Sequence, residues 1–374
     1  MKSLQATHNT FGADPASCDL FYEFARHIFI STSRQRLDVF IDKDNLPHNG
    51  GTKMNDEPWK PRKVVIVGAG AVGSTFAYAL AQSGLADEIA LRDANHELAL
   101  GQVLDLVHGQ AFFPSVQIHE AQAADYADAR MIVITAGAKQ RLGESRLDPL
   151  QRNVKIIYEI MDEILLQKSS AVVLIVSNPV DILTYAAYKR SGWPRGRVIG
   201  SGTVLDSARF RSLLSQHCGV DVHNVHAYIL GEHGDSEFAA WSMTNMAGLP
   251  IEQYCGLCSK CDDKQLCRSK IADEVKNSAY HIIQYKGATW FGVGLALTQI
   301  AAAILRNQHG VLTVSSVLEG EFGLSGVSLG VPCIVSQNGV ERVLQVTLPP
   351  GEQSALVKSA TTLRETIEKL DLAL

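Results

Sequence analysis

A chain of 374 residues is long enough for two domains, and its composition, 46% hydrophobic and 20% charged, is typical of a globular protein rather than a disordered or fibrous one. The net charge of −5 gives no general reason to expect nucleic acid or an anionic membrane as a partner. No apolar run approaches the ~20 residues of a membrane-spanning helix, and no secretory signal pattern opens the chain. We therefore expect a cytoplasmic protein whose seven cysteines are reduced.

The first sixty residues differ in character from the rest. The segment 42–63 is polar and rich in Pro and Gly, which is typical of a linker or a disordered stretch. Met54 stands nine residues before the first predicted strand and could begin the native chain. We predict that residues 1–60 are an N-terminal extension that is either disordered or a mis-assigned start.

A nucleotide-binding pattern begins at Lys63. The run "KVVIV" predicts a strand buried on both faces, and it is followed by "GAGAVG" and a helical stretch that ends at Gly84. Gly68, Gly70 and Gly73 thus form Gly-x-Gly-x-x-Gly between a strand and a helix. In that context the first glycine permits a tight turn, the second admits a pyrophosphate, and the third allows close packing of helix and strand. The N–H groups that begin the helix would face the phosphates.

The acid that follows the second strand favours NAD over NADP. "EIALRD" ends at Asp93, twenty residues after Gly73. A carboxylate at this place can accept the ribose hydroxyls and would repel a 2′-phosphate. Arg92 complicates the prediction, because a basic residue here can accommodate that phosphate.

The strands that follow predict the fold class. They are "RMIVIT" (130–135), "AVVLIVS" (171–177) and "RVIG" (197–200), with helical stretches between them. We predict a doubly wound parallel sheet of the Rossmann type at 61–203, followed by an α+β substrate domain at 204–374. Ligands of such sheets bind beyond the carboxyl ends of the strands, where "TAGAKQRLGESR" and "NPVD" leave the sheet. "LDPLQRN" then begins a helix, with Asp148 as N-cap and Pro149 at the first helical position.

Several motifs together resemble one enzyme family. "GAGAVGS", "TAGAKQRLGESR", "VSNPVDILTY", "GSGTVLDSARFR", "GEHGDSE" and "KGATWFGVG" occur in the order found in bacterial L-lactate dehydrogenases, of the lactate/malate dehydrogenase family. The likeness runs from about residue 62 to 370 and does not cover residues 1 to about 58. It implies reversible hydride transfer between NADH and pyruvate giving L-lactate, in glycolysis and fermentation, by a cytoplasmic homotetramer. The cofactor contacts that it implies are Gly68, Gly70, Val72, Gly73, Asp93, Thr135, Gly137, Ala138, Val176, Asn178 and Ser201.

The chemistry of keto-acid reduction explains which residues of the motifs would be catalytic. The alkoxide needs a proton, for which a histidine is suited, and a carboxylate partner fixes the tautomer of that histidine. His233 in "GEHGD" and Asp206 in "DSAR" resemble this family pair. No second His or Cys at metal-ligand spacing joins His233, so we expect a proton donor there and no catalytic metal.

Two arginines match the substrate contacts of the family. Arg209 resembles the clamp for the substrate carboxylate, which a planar bidentate cation binds well. Arg146 resembles the arginine that polarises the carbonyl, and it lies on segment 138–147, which suits a lid that excludes water. Asn178 and Thr289 resemble residues near the substrate and the nicotinamide.

Gln140 is the residue that would choose the substrate. It matches the position that faces the third carbon of the substrate, where a neutral amide accepts the methyl group of pyruvate. Malate dehydrogenases carry arginine there, and Lys139 and Arg141 flank Gln140, so a register shift of one residue would favour oxaloacetate. Arg146 supports the register that gives lactate. The alternatives are a malate or other 2-hydroxy acid dehydrogenase, or a non-catalytic NAD-binding sensor or structural protein.

Two further groups of residues remain outside the catalytic set. Arg211 and His226 match positions where bacterial relatives bind fructose 1,6-bisphosphate at a subunit interface, although relatives without this regulation can keep similar residues. "YCGLCSKCDDKQLC" departs from the common family pattern. Its thiols, Cys255, Cys258, Cys261 and Cys267, could bind zinc or an iron–sulfur cluster. We expect reduced thiols without metal, because the spacing differs from the usual paired zinc knuckles.

Overall fold

The computed structural model describes residues 61–138, 147–258, 260–261, 263–370 and 372, and only the backbone of Cys258. The predicted N-terminal extension at 1–60 lies outside these described residues. Gln140 and Arg146, predicted to lie on the lid, also fall outside them.

Helices and strands alternate through the first half of this range, and short antiparallel strands dominate the second. The described α-helices, numbered α1 to α9 in chain order, are Ala71–Ser83, His96–His108, Leu147–Leu166, Val180–Ser191, Val204–Cys218, Ile251–Cys258, Lys264–Lys286, Phe291–Leu305 and Pro350–Ile367. The described strands, numbered β1 to β16, are Lys63–Val67, Glu88–Arg92, Gln117–Glu120, Met131–Ile134, Val172–Ile175, Val198–Gly200, Val225–His226, Ile229–Leu230, Phe238–Ala239, Asn245–Met246, Leu249–Pro250, Gly310–Leu312, Ser315–Glu319, Ser325–Gly330, Cys333–Ser336 and Gly339–Val343.

Among the described strands, the largest sheet has eight members in the order β14-β13-β6-β5-β4-β1-β2-β3. The pairs from β3 to β6 are all parallel, while β13 and β14 pair antiparallel at one edge. The order 3-2-1-4-5-6 is that of a doubly wound dinucleotide-binding sheet. The predicted fold class is therefore confirmed.

Burial explains why the central strands are uninterrupted runs of apolar residues. Every residue of β1, β4 and β5 is buried. Such strands need cover on both faces, which helices provide in a parallel sheet. Among these helices, α1 packs against α8, and α3 packs against α4.

The second half of the chain builds its own smaller core. Phe210 and Leu214 of α5 pack there with Val225, Ile229 and Met246 from short antiparallel strands. Strands β13 and β14, which come late in the chain, nevertheless complete the large sheet. The predicted boundary at 203/204 stays a prediction.

The start of α3 differs from the prediction. Among the described residues this helix begins at Leu147, so Asp148 and Pro149 lie within its first turn rather than at the N-cap and first position. Proline is tolerated there, because the backbone N–H groups of the first turn have no partner inside the helix. Asp148 still places a negative charge near the positive end of the helix dipole.

The turn from β1 into α1 requires glycine for steric reasons. Gly68 has φ +111°, a conformation that L side chains rarely adopt. A Cβ on Gly73 would lie 1.8 Å from the carbonyl oxygen of Gly68. The helix therefore sits directly against the end of the strand, and no larger residue fits between them.

We predict that Gly73→Ala lowers the free energy of unfolding by about 1–3 kcal/mol, because the added methyl group forces the helix away from the strand. The matched control is Gly101→Ala in α2, where a Cβ would meet no atom within 4 Å. That control should retain or gain stability, since alanine is favoured over glycine inside a helix. Urea denaturation of both variants measures the difference, and equal losses would contradict the packing explanation.

Candidate active site

The carboxyl ends of the parallel strands bring the predicted cofactor residues to one edge of the sheet. The glycine turn follows β1, Asp93 follows β2, and Thr135 follows β4. Val176 and Asn178 follow β5, and the remaining predicted contacts are Val72 on α1, Gly137 and Ala138 after β4, and Ser201 after β6. Ligands of doubly wound sheets bind at this edge.

Hydrogen bonds hold these segments together. The Thr135 hydroxyl donates to the carbonyl oxygen of Gly68 over 2.9 Å. The backbone N–H of Gly68 donates to the carbonyl oxygen of Arg92 over 2.7 Å. Asn153 of α3 joins the next two segments, since its amide oxygen accepts from the N–H of Ala138 and its amide nitrogen donates to the carbonyl of Asn178. The backbone of Asn178, whose side chain is exposed, is thereby held at the end of β5.

The glycine turn has the shape that a pyrophosphate needs. Cβ atoms at Gly68 and Gly73 would collide with backbone or side-chain atoms, whereas a Cβ at Gly70 would meet nothing within 4 Å. Gly70 is also the N-cap of α1, and the helix carries no acidic residue in its first turn. The open space therefore lies at the positive end of a helix dipole, where anions bind.

Asp93 stands beside this turn. Its two carboxylate oxygens accept hydrogen bonds from the N–H groups of Ala69 at 2.7 Å and Asn95 at 2.9 Å. Each oxygen keeps lone-pair capacity for a ribose hydroxyl. Arg92 forms an ion pair with Glu163 at 2.8 Å and lies over the ring of Tyr126. Its guanidinium is thus engaged by α3, which weakens the case for a 2′-phosphate contact.

His233 and Asp206, which are 27 residues apart in the chain, meet directly. The imidazole Nδ1 lies 2.6 Å from a carboxylate oxygen of Asp206, which is 2% exposed. Burial lowers the pKa of His233, but the charge and hydrogen bond of Asp206, with smaller contributions from Asp181 and Glu237, raise it to about 9. The imidazole of the folded protein is therefore a cation at neutral pH, with Nε2 left for a ligand.

Asp206 also accepts a hydrogen bond from Arg209, one turn later on α5. The distance from the guanidinium to the carboxylate is 2.7 Å. Burial would raise the pKa of Asp206, but the charges of His233 and Arg209 outweigh it and lower that pKa. The carboxylate therefore stays ionised between two cations. Arg209 keeps other N–H donors for a second anion.

Two buried acids were not singled out from the sequence. Asp181, at the start of α4 in "NPVD", accepts a hydrogen bond from the backbone N–H of His233 at 2.7 Å. Glu237 is 5% exposed, and its carboxyl group lies near the carboxylate of Asp206 and the imidazole of His233. The only sequence signals were their places, one at a strand's carboxyl end and the other in "GEHGDSE".

Burial raises the pKa of both acids. The pKa of Asp181 rises to about 6, and hydrogen bonds from Ser315 and His233 oppose this rise. The pKa of Glu237 rises to about 8, because of burial and the negative charge of Asp206. Glu237 is therefore mostly protonated at neutral pH, so Asp206 is the ionised partner of His233.

A cavity of about 160 Å³ lies against this constellation. Its lining includes His233, Asp206 and Arg209, together with Lys276 and Tyr280 of α7. Its size suits a small ligand. Thr289 lies in the short segment between α7 and α8 and is half-buried.

Arg211 and His226 line a second and larger cavity, of about 460 Å³. The guanidinium of Arg211 donates to the carbonyl oxygen of Val225 over 2.8 Å, and the His226 side chain is exposed. Apolar residues that are partly exposed, Leu295 of α8 and Val311 of β12, complete the wall. The structure thus places both predicted anion-binding residues beside an apolar surface.

The buried Glu237 predicts how stability changes with pH. Its pKa is 4.5 in an unfolded chain and about 8 when folded, so between these values the native state binds more protons. The stability from this group is fully present below pH 4.5 and is lost as pH rises through 8. Glu237→Gln removes this dependence, and the variant should gain on the order of 2–3 kcal/mol relative to the wild type between pH 5 and pH 8.

Urea denaturation at the two pH values measures this change. Glu274→Gln, at an exposed glutamate on α7, is the matched control and should show no pH-dependent gain. A constant difference between Glu237→Gln and the wild type at pH 5 and pH 8 would contradict the assignment.

Comparisons with known proteins agree with this geometry. The lactate/malate dehydrogenase NAD binding domain matches residues 62–200, and the alpha/beta C-terminal domain of the same family matches residues 203–372. The chain is 61% identical to L-lactate dehydrogenase of Treponema denticola over 314 residues, which cover 83% of this chain and 99% of that protein. It is 52% identical to L-lactate dehydrogenase of Acetivibrio thermocellus over 311 residues, which cover 83% of this chain and 98% of that protein.

Solved structures give the same result. The minor L-lactate dehydrogenase from Enterococcus mundtii, in its ligands-bound form, superposes with a TM-score of 0.80 at 41% identity, covering 83% of this chain and 99% of that one. Within the described part of the chain, no helix has the length and apolar character needed to span a membrane. The resemblance seen in the motifs is confirmed: the chain belongs to the lactate/malate dehydrogenase family, and its first domain is the NAD-binding domain of that family.

Proposed function

We propose that the protein is an NAD-dependent L-lactate dehydrogenase that interconverts pyruvate and L-lactate. The observation that carries this proposal is the contact of His233 with the buried Asp206, which in turn holds Arg209, beside a small cavity. The three side chains supply a proton, its counter-charge and a site for a carboxylate. The names of the relatives at 61% and 52% identity support the same reaction.

The cofactor residues fit a dinucleotide. Gly68, Gly70 and Gly73 would hold the pyrophosphate at the start of α1, and Asp93 would accept the adenosine ribose hydroxyls. We assign the remaining contacts to Val72, Thr135, Gly137, Ala138, Val176, Asn178 and Ser201. NADH, when bound, supplies the hydride that adds to the keto carbon of the substrate.

His233 provides the proton for the reduction. Because the pKa of His233 is raised to about 9, the imidazolium persists at neutral pH and donates from Nε2 to the oxygen that becomes the hydroxyl. Asp206 holds the ring by Nδ1 and keeps it cationic, and the carboxylate stays ionised throughout. In the reverse direction the neutral imidazole accepts the hydroxyl proton of lactate.

The substrate contacts complete the assignment. Arg209 binds the substrate carboxylate, and Asn178 and Thr289 lie toward the substrate and the nicotinamide. Arg146 polarises the carbonyl, and Gln140 accepts the substrate methyl group. The last two assignments rest on the sequence motif, since both residues lie outside the described ranges.

Each predicted domain has its own part in this proposed reaction. Residues 61–203 bind the cofactor, residues 204–374 supply the acid–base pair and the carboxylate site, and residues 1–60 are an extension without a catalytic part. We place the enzyme in the cytoplasm, in the fermentative end of glycolysis, where pyruvate reduction regenerates NAD.

We expect reduction of pyruvate by NADH at neutral pH. The kcat/KM values for oxaloacetate and for NADPH should each be lower by roughly 10²-fold or more, because an unpaired or repelled anion costs several kcal/mol.

His233→Gln should reduce kcat by about 10²–10⁴-fold through loss of the proton donor. His309→Gln, at an exposed histidine paired with Glu341, is the matched control. Initial rates provide the measurement, with each keto acid varied at saturating NADH and with NADH or NADPH varied at saturating pyruvate.

Each outcome separates the alternatives. Faster turnover of oxaloacetate than of pyruvate would make the protein a malate dehydrogenase. Binding of NADH without turnover of either acid would favour the non-catalytic sensor.

A subunit interface with an anion site is the second part of the proposal. Exposed apolar side chains on α2 (Leu98, Leu100 and Leu104) and on α8 (Phe291 and Leu295) favour assembly, and the family likeness favours a homotetramer. Arg211 and His226 line the 460 Å³ cavity beside Leu295, where a two-fold axis would double the cations. Fructose 1,6-bisphosphate would bind there and link its two phosphates to the arrangement of the subunits.

We expect fructose 1,6-bisphosphate to lower the pyruvate concentration at half-maximal rate by about 5–150-fold, the usual range of allosteric coupling. His226→Gln should weaken this response without changing the rate at saturating pyruvate. His223→Gln, at an exposed histidine three residues earlier in the chain, should respond as the wild type does. An unchanged pyruvate response of the wild type would remove the activator and leave an unregulated anion site.

A further inference from the structure

Three side chains of metal-ligand type meet away from the active site. They are His217, Cys261 and Cys267, and their ligand atoms all lie within 4.8 Å of one another. The imidazole Nε2 of His217 lies 3.0 Å from the sulfur of Cys261. All three residues are half-buried, so the cluster is neither solvent-exposed nor sealed in the core.

The fold positions each member from a different segment. His217 is in the last turn of α5, which ends at Gly219 with φ +70°. Cys261 lies between α6 and α7, and Cys267 lies in the second turn of α7. Asp263 caps α7 by accepting hydrogen bonds from the backbone N–H groups of Gln265 and Leu266, so the thiol of Cys267 has a defined place one turn later.

This set differs from the four cysteines that the sequence suggested. Cys255 is not part of this group, and it interacts electrostatically with the guanidinium of Arg268. Cys258 has no described side chain. His217, which is 44 residues from Cys261 in the chain, joins instead. A nitrogen ligand now accompanies two sulfur ligands.

We propose that His217, Cys261 and Cys267 form a binding site for Zn²⁺ or a similar borderline-soft divalent cation. Zn–S bonds near 2.3 Å and Zn–N bonds near 2.0–2.1 Å in a tetrahedron separate the ligand atoms by about 3.4–3.8 Å. The observed limit of 4.8 Å is close enough for side-chain rotation to reach this arrangement. Three protein ligands leave the fourth position for water or another small ligand.

The surroundings of the cluster favour a site with two bound thiolates. Cys267 lies near the N-terminus of α7, where the helix dipole is positive. The N-terminus of α7 would partly offset the negative charge of two metal-bound thiolates.

The site would connect two helices that also build the active-site cavity. Helix α5 carries Asp206 and Arg209, and α7 carries Lys276 and Tyr280, all of which line that cavity. Bound metal would tie the C-terminal end of α5 to the N-terminal end of α7, away from the reacting groups. We assign the metal a structural role.

The test begins with the protein purified under reducing conditions without added metal. After treatment with a chelator, titration with Co²⁺ should give one equivalent per chain with tetrahedral d–d bands and a thiolate-to-cobalt charge-transfer band, and Zn²⁺ should displace it. Cys261→Ser, Cys267→Ser and His217→Ala should each weaken binding by at least about 100-fold. Cys255→Ser is the matched control and should bind as the wild type does.

A second measurement does not depend on variants. Saturating Zn²⁺ should protect Cys261 and Cys267 of the wild-type protein from alkylation, as read by mass spectrometry of the labelled peptides, and leave Cys255 labelled to the same extent. NADH binding, followed by fluorescence, shows that each variant is folded. The proposal is overturned if Co²⁺ gives no charge-transfer band, if the three variants keep wild-type affinity, or if Zn²⁺ leaves both cysteines equally reactive.

Discussion

The buried carboxylate of Asp206 is the constraint on which the catalytic half of the molecule depends. It is 2% exposed, and an ion so deeply buried needs compensation by paired charges. His233 and Arg209 provide it, each within hydrogen-bond distance of one carboxylate oxygen. The same contacts place an imidazole and a guanidinium, the proposed proton donor and carboxylate site, at the wall of one cavity. In this proposal, the contacts that compensate the buried charge also position the groups for the reaction.

The sheet brings the proposed cofactor contacts to one edge. Parallel strands deliver the glycine turn, Asp93 and Asn178 to one edge, and Asn153 fastens the segments that follow β4 and β5. Asp181 links the two domains. It lies at the start of α4, at that edge of the sheet, and its carboxylate accepts a hydrogen bond from the backbone N–H of His233. The imidazole is thus oriented at its ring by one domain and at its backbone by the other.

Local patterns predicted the strands, the glycine turn and the acid after β2, because each is set by residues close in the chain. The pairing of His233 with Asp206 came from the family likeness, since no spacing rule connects residues 27 apart. The sequence did not predict the contacts of Asp181, Glu237 and Asn153, because these contacts depend on burial and form only after folding. The same reason explains His217, whose approach to Cys261 spans 44 residues. Among the described residues α3 begins at Leu147, two residues before the predicted first position, and Pro149 is compatible with several first-turn positions.

We infer that Asp206 keeps His233 protonated in the neutral range. The most direct measurement is an NMR pH titration of the His233 imidazole in the ligand-free protein, with the resonance assigned by comparison with His233→Gln. We expect a midpoint well above the ordinary value of 6.5, near 9. A midpoint at or below 6.5 would show instead that burial outweighs the carboxylate and that Asp206 does not keep the imidazole protonated.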